Sequence, residues 1–316
     1  MHIQERGTYM KYLITGGSGF IGTNLIKRIL ENKRNSVLIV DRKEPIVKGV
    51  KWVPADVSCS EIHEFVKGYD IFIHLACQPG VEASVKDPFG TFHQNVYGTL
   101  RCLEAARHAG IKRFIFASSG GTVLGKQNEP LNEKLSPNPA SPYGASKLAC
   151  EGYCKAYYHT YGLETVILRF SNVYGPHSEH KDFNLIPGFI MNTLENKPCY
   201  INGDGNITKD YIFVEDLIKA IMSSATLPGI GGEIFQIATG KQTSINEITA
   251  TLNRLSNIMG YHMNIQQRDE RVGDVAYSCN IDKAKTKLSF DPAYTLEEGL
   301  EITLKWFEDN WGKDNG

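Results

Sequence analysis

The stretch Gly16-Gly17-Ser18-Gly19-Phe20-Ile21-Gly22 follows a short apolar run, Lys11–Thr15, and opens a segment of helical periodicity, 20–32. A strand that turns at once into a helix needs residues without a Cβ. Only then can the chain reverse tightly and let backbone N–H groups approach a pyrophosphate at the helix N-terminus. Asp41 closes the next apolar run, Ser36–Asp41, 19 residues after Gly22. An acid there accepts hydrogen bonds from ribose hydroxyls and repels a 2′-phosphate, which favours NAD over NADP. Arg42 beside it weakens that preference slightly. Asp56, after a third apolar run at 50–55, stands either to bond an adenine amino group or to cap the strand end.

The alternation continues. A short helix is expected over 62–67, a fourth strand over 71–75, a helix over 96–110 closed by glycine, and a fifth strand over 114–118. A long helix should run from Tyr143 to Tyr161, with Ser141-Pro142 at its start and Gly162 at its end, before a sixth strand at 165–169. Strands alternating with helices imply an α/β fold with a doubly wound parallel sheet. In such sheets ligands bind at the carboxyl ends of the strands, so the glycines, 74–85, 118–122 and 170–174 should share one edge. Beyond residue 170 the alternation weakens and glycine-bounded loops such as 202–206 increase. The expected division is a polar leader or extension at 1–9, a dinucleotide domain at 10–170 to which 208–240 returns, and a smaller C-terminal lobe made of 171–207 and 241–312. The return is expected because 210–223 reads as a strand and helix rejoining the sheet.

Composition excludes several classes. With 41% hydrophobic and 22% charged residues and a net charge of −1, no global basic field recruits nucleic acid or a membrane. No apolar run approaches the roughly 20 residues of a membrane span. Seven cysteines, an odd number without a Cys-x-x-Cys pair, argue against a disulfide framework or a structural zinc site. No metal is expected, and a reducing cytoplasm is the simplest compartment.

Tyr143 and Lys147 lie four residues apart, a spacing that places both on one helix face. Free tyrosine has a pKa of about 10, and an ammonium group and a positive nicotinamide would both stabilise its phenolate. A shift of three units would need about 4 kcal/mol of differential interaction. Beside a dinucleotide, such a phenolate removes a hydroxyl proton while hydride leaves the same carbon. The expected chemistry is alcohol oxidation, with Tyr143 as base and Lys147 also bonding the nicotinamide ribose.

Several stretches together carry a resemblance: 15–22, His74-Leu75-Ala76, Asn95, 116–125, 143–147, Arg169-Phe-Ser-Asn-Val-Tyr-Gly-Pro176, Asp210-Tyr-Ile-Phe-Val-Glu-Asp216 and Arg271-Val-Gly-Asp274. The chain resembles the extended short-chain dehydrogenases, and within them the NAD-dependent epimerase/dehydratase family and its UDP-sugar 4-epimerases. The resemblance covers Met10 to about Trp311. It implies a Rossmann sheet with a nucleotide-sugar-binding lobe, NAD held through each cycle, and a homodimer built on two helices per subunit. With the strand-end positions it extends the cofactor set from Gly16, Gly19, Phe20, Ile21, Gly22, Asp41, Arg42 and Asp56 to Val57, Leu75, Ala76, Asn95, Ser118 and Phe170. It also implies that Asn172 holds the nucleotide-sugar, that Arg271 grips its diphosphate, and that Lys209, where the family often has Arg, gives a second phosphate contact. Gln78 joins the substrate set.

One departure matters. Val123-Leu124-Gly125 replaces the family's Val-Tyr-Gly, and Gly120 stands at its hydroxyl position. The reacting oxygen must then be bonded by Ser119, the first choice, or Thr122. Ser118 is expected to point into the strand. The family's dehydratases carry Asp-Glu and its decarboxylases Glu just after the hydroxyl, whereas this chain has Gly120-Gly121. The gate for bulky 2-substituents falls on Ser278 by ungapped count from Arg271, which would leave room for an N-acetyl group. The expectation is 4-epimerisation of UDP-glucose, UDP-galactose or their N-acetyl forms. The rivals are a UDP-glucuronate 4-epimerase, a dehydratase, decarboxylase or reductase of the same family, and a non-catalytic NAD-binding regulator.

Overall fold

The computed structural model describes residues 9–59, 61–179, 184–269 and 276–310. Its centre is a seven-stranded sheet in which every neighbouring pair is parallel. Six strands follow in chain order: β1 (Lys11–Thr15), β2 (Ser36–Asp41), β3 (Lys51–Pro54), β4 (Ile71–His74), β5 (Arg113–Ser119) and β6 (Thr165–Phe170). Ile234–Ile237 adds the seventh beside β6. The spatial order is β3-β2-β1-β4-β5-β6 and then Ile234–Ile237, so the direction of winding reverses between β1 and β4. That reversal opens a crevice at the carboxyl ends of the two strands, where a dinucleotide binds in folds of this kind.

Successive side chains of a strand face opposite ways, so near-continuous apolar strands serve two cores. Ile14, Ile39, Ile73, Ile115 and Val166 join one core with the helices Phe20–Leu30 and Val214–Thr226. Leu13, Leu38, Phe72, Phe114 and Ile167 join the other with Gly98–Ala109 and Pro142–Tyr161. The long helix is set by its ends. Ser141 Oγ accepts the Gly144 N–H at 3.1 Å, Pro142 occupies the first turn, and Gly162 leaves in the left-handed region at φ 70°.

Two expectations change. The helix expected from residue 96 is preceded by a π-helical stretch, Phe92–Tyr97, whose wider turn carries Asn95. Tyr211–Phe213 does not rejoin the sheet. It pairs in parallel with Asn172–Tyr174 as a separate two-stranded element, and only the helix after it packs on the main sheet. The sheet edge is taken by Ile234–Ile237, whose outer polar groups are met by side chains: Glu133 Oε1 accepts the Gln236 N–H at 2.7 Å, and Lys283 Nζ donates to the Ile234 carbonyl at 2.6 Å.

Beyond β6 the other strands form short pairs. Pro198–Asn202 runs parallel to Asn264–Arg268, and Thr208–Lys209 runs antiparallel to Thr243–Ser244. The helices Leu185–Leu194, Ile245–Ile258 and Leu296–Asn310 pack around them. Among the described residues no helix is long and apolar enough to cross a membrane.

Candidate active site

The glycine loop is shaped by contacts that a methyl group would destroy. Gly16 has φ 71°, and a Cβ there would lie 2.6 Å from the Ala76 nitrogen, so β1 and β4 release their chains side by side. A Cβ on Gly22 would lie 2.6 Å from the Gly16 carbonyl oxygen. Gly19 caps the first helix without a side-chain bond, and the first turn, with Phe20 and Ile21 half-buried, holds no acid. Its unpaired N–H groups and the helix dipole therefore suit a pyrophosphate.

Asp41 faces this loop from the end of β2. Its Oδ2 accepts the Ser18 N–H and its Oδ1 the Lys43 N–H, each at 3.0 Å. Arg42 extends outward and pairs with Asp56 at 3.7 Å. Asp56 Oδ1 accepts from Ser58 N and Oγ at 2.9 and 2.7 Å, and Val57 is buried against Gly98. On the other side of the crevice, Asn95 staples the loop after β4 to the long helix. Its Oδ1 accepts the Gln78 N–H at 2.7 Å, and its Nδ2 donates to the Gln78 carbonyl at 3.3 Å and to Ser146 Oγ at 3.0 Å. Leu75 and Ala76 lie in that loop. The cradle fits a dinucleotide: a Cβ would fill it, the helix end is electropositive, and an acid stands at the ribose position.

Tyr143 and Lys147 project from the first two turns of the long helix toward the end of β5. The Lys147 ammonium is buried, donates to the Ala117 carbonyl at 2.8 Å and sits 5.8 Å from the Tyr143 ring centre. Burial pushes the Tyr143 pKa up to about 12, against the pull of Lys147, while the Cys77 thiol, hydrogen-bonded to the phenol, adds to the rise. Burial also opposes the charge on Lys147, but Cys77 and Tyr143 outweigh it and its pKa rises, so the lysine keeps its proton. The expected approach of the phenolate to operating pH rests on Lys147 and the positive nicotinamide together. Lys147 alone does not achieve that in the protein without its cofactor, because desolvation of the phenolate is the larger effect. Cys77 was not anticipated, since nothing in a scattered set of thiols marks one that folds against the helix.

The hydroxyl cluster sorts itself by burial. Ser118 Oγ donates to Glu151 Oε1 at 2.6 Å, so its side chain is committed to the helix, and only its backbone is left to the crevice. Glu151 also receives Arg169 through bonds of 2.9 and 2.7 Å, a buried forked ion pair. Ser119 is half-buried at the start of the turn 120–124. Thr122 Oγ1 is buried with no hydrogen-bond partner among the described residues. Phe170 is buried at the end of β6.

The glycine pair has a physical explanation. A Cβ on Gly120 would lie 2.5 Å from Gln236 Oε1, and one on Gly121 would lie 2.9 Å from the Tyr277 ring. The carboxamide and the ring fill the space that side chains there would need. Tyr277, one residue before the expected gate at Ser278, is therefore the residue turned to this site. Ser278 instead contributes a backbone carbonyl that accepts the Leu131 N–H at 2.8 Å. The ring beside Gly121 thus belongs to the residue next to the one reached by ungapped count. The Tyr277 hydroxyl accepts Asn172 Nδ2 at 2.8 Å, which ties the expected sugar-nucleotide residue to the same wall. Lys209 is half-buried in its short strand. Arg271 lies outside the described residues.

These features define a dinucleotide crevice with an acid–base pair at its inner end. The NAD-dependent epimerase/dehydratase family model matches residues 12–238. A Methanocaldococcus jannaschii protein provisionally named UDP-glucose 4-epimerase is 36% identical over 308 residues, covering 94% of this chain and 98% of its own. The UDP-glucuronate 4-epimerase of Thermodesulfobacterium geofontis is 32% identical, covering 95% and 96%. Among solved structures, UDP-glucose 4-epimerase of Thermotoga maritima with UDP-glucose superposes with a TM-score of 0.89 at 31% identity, covering 95% of this chain and 99% of that one. The chain belongs to the NAD-dependent epimerase/dehydratase family and is an enzyme of that family, with NAD as the cofactor.

Proposed function

We propose that the protein is a 4-epimerase of a UDP-sugar. When bound, NAD supplies the hydride acceptor and returns the hydride. With Lys147 and the positive nicotinamide together holding Tyr143 as the phenolate, its Oη takes the proton of the C4 hydroxyl and later gives it back, so no net proton is consumed. Lys147 holds positive charge beside the phenolate, and Thr122 Oγ1, whose hydroxyl is otherwise unpartnered, bonds the same substrate oxygen in preference to Ser119. Between the two hydride transfers the 4-keto sugar turns over, which requires a firm grip on the nucleotide and a loose one on the sugar.

The observation that carries this reading is the filling of the glycine pair. The space beside positions 120 and 121 is taken by a neutral amide and a phenol. Positions 120 and 121 themselves carry no carboxylate to eliminate water or to assist loss of CO2, and the base, hydroxyl and NAD suffice for epimerisation. The bulk of Tyr277, in place of the smaller Ser278, favours UDP-glucose and UDP-galactose over their N-acetyl forms.

Incubation with UDP-glucose, UDP-N-acetylglucosamine, UDP-glucuronate and dTDP-glucose, with products resolved by NMR, tests the reading. Interconversion of UDP-glucose and UDP-galactose supports it, and release of water, CO2 or net NADH overturns it. The exposed apolar side chains Val85, Phe89, Phe92, Tyr97 and Tyr153, on the long helix and the helical segments packed beside it, support a homodimer through this face. Sedimentation as a monomer at micromolar concentration would remove that part of the proposal.

A further inference from the structure

Asp210 is fully buried between the sheet and the second half of the chain. Its carboxylate gathers donors from segments remote in sequence. Oδ1 accepts the Thr239 N–H and Oγ1, each at 2.8 Å, and Ser171 Oγ at 3.5 Å; Oδ2 accepts the Gly240 N–H at 2.8 Å. The Cys279 N–H also bonds the carboxyl group. The backbone carbonyl of the same residue accepts the Asn172 N–H at 3.1 Å and Asn172 Nδ2 at 2.9 Å. One residue thus ties the end of β6, the exit of Ile234–Ile237 and the segment that follows Tyr277.

These three segments share a location. Asn172 is bonded to the hydroxyl of Tyr277, whose ring faces Gly121. None of the donors to Asp210 belongs to the glycine loop or to the Tyr143–Lys147 pair. A buried carboxylate that receives several N–H and O–H groups is held in one arrangement, because each donor would otherwise be left without a partner.

We propose that Asp210 is a positioning residue: its carboxylate is the latch that holds Asn172 and Tyr277 against the sugar-nucleotide, without touching the substrate. The inference rests on the UDP-sugar reading above. It separates two tasks, since the latch sets the grip on the sugar-nucleotide while the chemistry and the hold on NAD stay with the first half of the chain.

Asp210→Asn replaces an acceptor with a donor facing other donors. The expected result is a rise of at least tenfold in KM for the UDP-sugar, with kcat at saturation within about threefold and bound NAD unchanged. Hydrogen exchange should quicken together at 171–172, 239–240 and 277–279 and stay unchanged at 16–22. Should this variant fail to fold, Thr239→Val removes one hydroxyl donor and carries the same test, with a rise of about threefold in KM. An unchanged KM, or exchange unaltered at the three segments, overturns the latch. If the wild-type protein binds no UDP-sugar while the exchange pattern behaves as stated, the substrate reading falls instead.

Discussion

The two halves of this chain build their parts of the site by different means. From residue 11 to 170 the site is mostly backbone at strand ends. Gly16, Gly19 and Gly22 shape a cradle, β1 and β4 diverge to open it, and a single helix presents Tyr143 and Lys147. From 171 onward the site is gathered from separated segments by buried side chains. Asp210 joins three of them, and away from the site Asp216 Oδ2 likewise accepts the Ala293 and Tyr294 N–H groups at 3.0 and 3.1 Å to hold the segment before the last helix. A parallel sheet is a rigid frame whose strand ends coincide automatically, whereas short two-stranded pairs impose no common register. The second half therefore relies on buried acids to join its segments, where the first relies chiefly on topology, with Glu151 and Asn95 as buried ties within it. This suits the proposed reaction, in which the cofactor stays fixed while the sugar moves.

The sharpest way to break this contrast is Tyr143→Phe. If the first half performs the chemistry and the second only holds the sugar, kcat should fall by about 10²–10⁴-fold while affinity for the UDP-sugar and retention of NAD stay close to wild type. Steady-state kinetics with calorimetric binding checks it. A variant that loses sugar affinity in parallel would mean that the two tasks are not separated.

Acid should loosen the first half through His74. That ring is buried, lies 2.6 Å from Thr15 Oγ1 and 3.0 Å from Thr99 Oγ1, and burial, aided by Lys147, lowers its pKa to about 3. The unfolded chain binds this proton near pH 6.5 and the folded one does not, so stability is full above 6.5 and falls as the pH drops toward 3. From pH 6.5 to 4 the loss is about 3 kcal/mol by linkage. His177 in the second half, lowered to about 4 by burial and Lys27, adds a weaker dependence in the same direction. Urea titrations at both pH values should show the larger flattening for His74→Asn and the smaller for His177→Asn.

The smallest effect is expected at the seam between the halves. Gly120→Ser restores the hydroxyl position that the resemblance calls for, but drives its Cβ into Gln236. The cost should be about 1–2 kcal/mol of stability, read from denaturant midpoints, and shortening the partner in Gly120→Ser/Gln236→Asn should recover most of it. No recovery would mean that the two residues are not coupled across the seam.

Much of the first half was legible in the sequence because its signals are local. Strands β1 and β2 fall where their apolar runs begin and end, and Ser141-Pro142 and Gly162 bound the long helix, since caps and periodicity act within a few residues. The π-helical turn at Asn95 was not visible, because it is imposed by bonds to Gln78 and Ser146, 17 and 51 residues away. The ring beside Gly121 was hidden for the same reason: counting from Arg271 points to Ser278, and only packing shows that the Tyr277 ring fills the space above Gly121.

The sequence by itself determined the doubly wound sheet, the glycine cradle, the acid at the ribose position and the Tyr143–Lys147 pair, for each depends on spacing along one or two elements. The tertiary structure alone decided which hydroxyl has no partner among the described residues, why two glycines stand near it, which way burial drives the phenol, and which buried acid joins the segments around Ser171, Thr239 and Gly240. Those outcomes depend on desolvation and on contacts between segments tens to more than a hundred residues apart, and such free energies exist only once the chain has closed upon itself.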